Sequence, residues 1–270
     1  MPVARFLLFS TSLGGFVALA LAALGRAAPV AWMLAGLGAH AVLATAAVFL
    51  PSLQVWSRVR FRGVVGRRRI ALTFDDGPNP ETTRRVLALL AERGQRATFF
   101  VIGQKVRAHP ELLREMRAAG HAVGLHGNVH DRLYALRSVR RLTADIELAQ
   151  RAVTDAFGAR TRWFRPPIGF VSHSVALAAE RAGVELSGWT ARALDGRAGA
   201  RSERVLKRAL GAVEDGAVLL LHDAAEADDR APASLEILPA LLDGVVARGL
   251  SAVTLDELFE SDAEASADRV

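Results

Sequence analysis

The chain opens on two uncharged, mostly apolar stretches, 6–24 (FLLFSTSLGGFVALALAAL) and 30–50 (VAWMLAGLGAHAVLATAAVFL), parted by Gly25-Arg26-Ala27-Ala28-Pro29. Each approaches the ~20 apolar residues that a helix needs to cross a bilayer. With Arg5 ahead of it and small residues near 22–28, the first also fits a signal peptide. The second stretch directly behind it favours a transmembrane helical hairpin over 1–52. From residue 70 the pattern changes to short apolar runs between longer stretches of helical period. IALTF (70–74), RATFFVI (96–102), HAVGLH (121–126), TRWFR (161–165), GVELSGW (183–189), AVLLLH (217–222) and LSAVTL (250–255) read as strands. Helices are predicted near 81–93, 105–119, 138–157, 172–182, 201–214 and 234–248. Gly94, Gly120, Gly158, Gly183 and Gly249 each stand where a helix should stop.

Strict alternation of helices with strands apolar on both faces predicts a parallel sheet covered by helices. Seven strands favour a (β/α) barrel, complete or distorted, over an open sheet. The domain organisation read from this is a membrane hairpin (1–52), a basic juxtamembrane linker (53–69), a globular body (70–259) and a polar tail (260–270). No internal repeat is visible.

Charge sharpens the division. The chain holds 34 basic and 28 acidic side chains, net +6, yet its first 70 residues hold eight arginines and no acid. The body is therefore near neutral and lacks the basic footprint of a nucleic-acid binder. Arg58, Arg60, Arg62, Arg67, Arg68 and Arg69 follow the apolar region, where attraction to anionic lipid headgroups is the simplest reading. A hairpin puts the N-terminus and the body on one side, and the arginine excess there favours a cytoplasmic body. His40, inside the second span, reads either as a functional intramembrane group or as a packed one. The absence of cysteine excludes disulfides and thiolate metal sites and leaves the redox compartment open.

The chemistry-bearing side chains collect at the C-terminal ends of predicted strands, where barrel active sites are built. Asp75 and Asp76 follow the first strand, His126 and His130 the third, Arg165 the fourth and Asp195 the fifth, while His222 ends the sixth. Adjacent carboxylates oppose each other's ionisation, and a bound cation offsets that. His126 and His130 share a face if their segment makes one helical turn. With one carboxylate they form a three-ligand set that leaves a position open for water. Taken alone, the two histidines fit a structural pair equally well.

TFDDGP (73–78), His126-x-x-x-His130, Arg165-Pro166-Pro167-Ile168-Gly169, Asp195 and Leu219-Leu220-Leu221-His222 occur in the order and near the spacing of the polysaccharide deacetylase (NodB-homology) family. The resemblance spans roughly residues 68–258. It implies a metal-dependent amide hydrolase on a distorted (β/α) barrel that removes N-acetyl groups from amino sugars in peptidoglycan or chitin-like oligomers. Asp75 resembles the general base, and Asp76, His126 and His130 resemble the ligands of Zn²⁺ or a similar divalent ion. Arg165 would hold Asp75, Asp195 would orient His222, and His222 would be the general acid. Pro167 and Ile168 would contribute to substrate binding, the Ile168 N–H by stabilising the oxyanion.

Three positions depart from the family pattern. Gly127 stands where Ser or Thr often braces the loop, and Ile168 and Gly196 stand where aromatics are common, which removes stacking surface for a sugar. The expected substrate is an amino-sugar glycan. The arginine bias raises an alternative, a cytoplasm-facing deacylase or deformylase of a lipid-linked amino sugar. The third reading is an inactive glycan-binding module. The expected location is a bacterial-type cell membrane, crossed twice. Family habit favours an extracytoplasmic body, against the arginine count.

Overall fold

The computed structural model describes residues 3–26, 30–197, 199–224 and 231–260. The polar tail expected at the end lies, from 261 on, outside the described residues. Two long apolar helices lead the chain, α1 (Val3–Ala23) and α2 (Val30–Phe49). They lie against each other, and His40 Nδ1 meets Thr11 Oγ1 across the pair at 2.9 Å. One end of the hairpin packs on the residues that follow it: Leu8, Ala47 and Val55 form a small cluster with Leu53 and Trp56, while most of both helices is exposed.

The body alternates as predicted. After β1 (Val59–Arg60) come β2 (Arg69–Gly77), α3 (Thr82–Ala91), β3 (Thr98–Val101), α4 (Gly103–Ala108), α5 (Pro110–Ala118), β4 (Ala122–Leu125) and α6 (Val139–Phe157). The second part runs β5 (Trp163–Phe164), α7 (His173–Ala182), β6 (Glu185–Ser187), β7 (Ala191–Arg192), α8 (Ser202–Gly211), β8 (Val218–His222), α9 (Ser234–Ala247) and β9 (Ser251–Val253). The strands stand in the order β1-β6-β5-β4-β3-β2-β8-β7, with β9 against the first residues of β2, and every pairing is parallel. Among the described residues no ladder joins β1 to β7, so the sheet curls into an incomplete barrel. Its interior is filled: Arg165, just beyond β5, crosses it to reach Thr73 on β2 and Gly188 beyond β6.

All seven predicted runs form strands. β2 lies between β3 and β8 and is buried from Ile70 on, which explains its unbroken apolar run. The additions, β1 and β7, are two residues each and too short to carry a period. β1 falls in the stretch read as a linker, where Val59 and Arg60 pair with Leu186 and Ser187. Two of the arginines assigned there to lipid headgroups serve the fold, since Arg60 pairs with Glu185 and Arg62 with Glu214. The helix predicted over 105–119 is broken, because the residue before a proline is driven out of helical geometry: His109 sits at φ −136°, ψ 60° ahead of Pro110. The five glycines at predicted helix stops all take φ between 60° and 80°, the left-handed conformation that lets the last carbonyls find donors.

Candidate active site

In a regular strand Asp75 and Asp76 would point to opposite faces. Here the β2–β3 register shifts between Asp75 and Gly77, and Asp76 takes φ 71°. Both carboxylates therefore reach one space: Asp75 Oδ2 lies 3.9 Å and Asp76 Oδ1 3.4 Å from the same atom, His126 Nε2. The glycine that follows is needed for close approach. A Cβ at Gly77 would stand 2.3 Å from the buried carboxylate of Asp223, which accepts from Thr83 Oγ1 at 2.5 Å.

Arg165 organises the site from both its ends. Its fully buried guanidinium donates from Nη1 to Asp75 Oδ1 at 2.6 Å and to Thr73 Oγ1 at 2.9 Å, and lies 4.0 Å from the centre of the Phe100 ring. Its backbone oxygen takes the other contact, 2.8 Å from His126 Nδ1. A proton on Nδ1, donated to that carbonyl, leaves the Nε2 lone pair facing Asp76.

His130 Nε2 stands 3.6 Å from the same Asp76 Oδ1, and the donor atoms of Asp76, His126 and His130 all lie within 4.8 Å of one another. Asp76 Oδ1 is buried and takes no hydrogen bond among the described residues. A bare buried acceptor costs about 1–3 kcal/mol, and a cation between these donors removes that cost. The donor set thus fits a divalent ion. Burial alone would raise the Asp76 pKa, but His126, 3.4 Å away, with the charges of His222 and His130, holds its carboxyl well below the usual range. Burial likewise disfavours the His126 imidazolium, yet Asp75 and Asp76 outweigh it and raise its pKa. In the metal-free site protons therefore compete for the ligands.

His222, paired in register with Asp75 at the end of β8, faces the same space with Nε2 4.0 Å from Asp76 Oδ2. Asp195 grips it twice: Oδ1 lies 3.0 Å from Nδ1, and Oδ2 accepts the His222 backbone N–H at 2.8 Å. Burial pulls the His222 pKa down, but Asp195, then Asp76 and Asp75, overcome it and lift the value to about 9. Without a metal, this pairing favours the imidazolium form of His222. Replacing Asp195 with asparagine keeps an acceptor for the backbone N–H and removes the charge. The alkaline limb of kcat/KM should then move down by about 1–3 pH units, as a pH–rate series will measure.

Ile168 lines the cavity at φ 62°, a strained position for a β-branched residue. Of the five non-glycine residues with positive φ among the described residues, Asp76, Ile168 and Leu194 line this one cavity of about 210 Å³, and such clustering is the mark of a functional site. Pro167, expected to touch substrate, is buried beside Gly127 and does not line the cavity. The aromatic surface missing at Ile168 and Gly196 comes from Trp189, at the end of a predicted strand run. It packs on Gly169, where a Cβ would stand 2.2 Å from the ring.

Gly127 takes φ 80°, and the loop that follows it is braced by Asp145 on α6. Asp145 Oδ2 accepts the Asn128 N–H at 2.8 Å and the Tyr134 hydroxyl at 3.0 Å, and Arg107 donates to Asn128 Oδ1 at 2.9 Å. Asp145→Ala should lower affinity for a divalent metal about 10–100-fold, as loss of an outer-shell support does, with the far-UV circular dichroism unchanged. The remaining histidines of the body do not line the cavity: His121 Nδ1 accepts the Ala97 N–H at 3.2 Å and burial pushes its pKa to about 4, His173 packs on Trp56, and His109 sits beside Glu111.

The profile of the polysaccharide deacetylase family matches residues 62–187. A chitooligosaccharide deacetylase of Bradyrhizobium sp. (strain ANU 289) is 37% identical over 178 residues, covering 65% of this chain and 78% of the relative. The peptidoglycan-N-acetylglucosamine deacetylase PgdA of Listeria monocytogenes is 35% identical over 192 residues, 71% of this chain but 39% of the longer relative. The solved structure of the peptidoglycan deacetylase PdaC from Bacillus subtilis superposes with a TM-score of 0.66 at 28% identity, over 76% of this chain and 96% of that one. Sequence and fold agree, and the chain belongs to the polysaccharide deacetylase family.

Proposed function

We propose that the protein is a metal-dependent N-deacetylase that hydrolyses the acetamide of an amino sugar in a glycan of the peptidoglycan or chitin-like kind. The observation that carries this reading is the convergence on one cavity of a ligand set (Asp76, His126, His130), an arginine-held carboxylate (Asp75) and a carboxylate-held imidazole (His222). Amide hydrolysis needs all three, because the carbonyl is weakly electrophilic and the amine is a poor leaving group. The names of the relatives support the substrate class.

Two imidazoles and one carboxylate suit Zn²⁺ with a position left open. When bound, the ion lowers the pKa of a water and polarises the acetamide carbonyl. Asp75, with Oδ1 committed to Arg165, keeps Oδ2 toward the cavity and takes the proton of the attacking water. The Ile168 N–H is assigned to the oxyanion, a contact worth about 3 kcal/mol in other hydrolases. His222 delivers its Nε2 proton to the departing amine, and Asp195 steadies the imidazolium until then. Trp189, Ile168 and Leu220 give the sugar face and acetyl methyl apolar walls. In this reading α1 and α2 anchor the body to a membrane, being of spanning length and composition.

Chelator-stripped protein given Zn²⁺ and chito-oligosaccharides or peptidoglycan fragments should release acetate and free amine in equal amounts. Full metal occupancy without hydrolysis of any N-acetylated sugar would sink the proposal and favour a glycan-binding module.

A further inference from the structure

The membrane hairpin does not join the body at a neutral place. The Val48 carbonyl at the end of α2 accepts the Val171 N–H at 3.2 Å, and the Phe49 ring meets Phe170 edge-on with centroids 4.7 Å apart. Phe170 is two residues beyond Ile168, within about 7 Å along the chain, so the hairpin is bolted to the lip of the catalytic cavity. The same lip continues into the loop after His130, because Ser172 Oγ donates to the Ala135 carbonyl at 2.7 Å. On that loop Leu133 and Leu136 are 64% and 78% exposed, and Ile168 is 37% exposed. Large aliphatic side chains this bare, continuous with the foot of a membrane hairpin, fit the apolar side of a bilayer interface.

We propose that Leu133, Leu136 and Ile168 form an interfacial lip that dips into the membrane holding α1 and α2, so that the cavity opens at the lipid surface and takes an amino sugar tethered to a membrane lipid. This rests on the anchoring role given above to the hairpin. If α2 spans, Phe49 lies at the interface, and residues in contact with it lie at the same depth. The far end of the barrel faces away from that surface: Val246, near the end of α9, precedes β9, which pairs with the first residues of β2. A sugar held by its lipid then reaches Asp75 and His222 without leaving the interface, whereas a soluble polymer has to enter past the membrane.

The chain has no cysteine, so single substitutions are uniquely addressable. Full-length Leu13→Cys, Leu136→Cys and Val246→Cys, each carrying an NBD fluorophore, are reconstituted in phosphatidylethanolamine/phosphatidylglycerol vesicles with and without brominated lipid. Quenching at both Leu13 and Leu136 but not at Val246 is expected. Quenching at Leu13 with Leu136 behaving like Val246 overturns the lip and leaves the anchor standing. No quenching at Leu13 overturns the anchor and the lip together. A functional arm uses the double variant Leu133→Gln, Leu136→Gln. It should cleave soluble chito-oligosaccharide at the normal rate and lose activity on an N-acetylglucosaminyl lipid in the same vesicles. Equal rates on the lipid substrate for variant and parent contradict the proposal.

Discussion

Replacing Asp75 with asparagine is expected to lower kcat by about 10²–10⁴-fold, the range for loss of a general base, while zinc content stays at the wild-type level. The asparagine still offers Oδ1 to Arg165 Nη1, now 2.6 Å from the carboxylate, so the geometry survives and the charge does not. Arg165 is fully buried, and removing a buried charge's partner costs about 3–5 kcal/mol. A fall in melting temperature should therefore accompany the rate loss, and the two are separated by assaying well below the transition. Retention of wild-type kcat would show that another group accepts the proton of the water.

His126→Ala should have the other large effect, the loss of metal and activity together. Outer-shell supports cost 10–100-fold in affinity when removed, so a ligand should cost more than about 100-fold. Titration of stripped protein with Zn²⁺ will measure it. The wild-type affinity should fall as pH drops, and the sign follows from His126. Its pKa is raised by Asp75 and Asp76 against the opposing pull of burial, so its proton is held to higher pH than an ordinary imidazole would hold it. Metal must displace that proton, and proton release on loading is the corresponding calorimetric readout. An affinity independent of pH would remove His126 from the ligand set.

The sequence made the frame and the chemistry legible for one reason: both are written in local runs. Strand β2 and its acid pair sit in a single nine-residue element, and the helix stops sit in single glycines. What stayed hidden depends on contacts between distant residues. Asp145 is a plausible surface acid on an amphipathic helix until the fold brings it to Asn128, 17 positions away. Trp189 reads as the end of a strand until it packs on Gly169 and supplies the aromatic wall. Arg60 and Arg62 look like membrane-facing charge until the fold brings Glu185 and Glu214 to them. The shared direction of Asp75 and Asp76 was likewise invisible, because it depends on a register shift against β3.

That register shift underlies the central claim, the division of labour between two adjacent carboxylates. Zinc content measured side by side on Asp75→Asn and Asp76→Asn tests it most directly, since the two isosteric changes are one residue apart. Asp75→Asn should bind zinc one to one and be nearly inactive, whereas Asp76→Asn should be inactive because it is purified without metal and loads poorly. Equal zinc in both variants, or loss from Asp75→Asn alone, would contradict it.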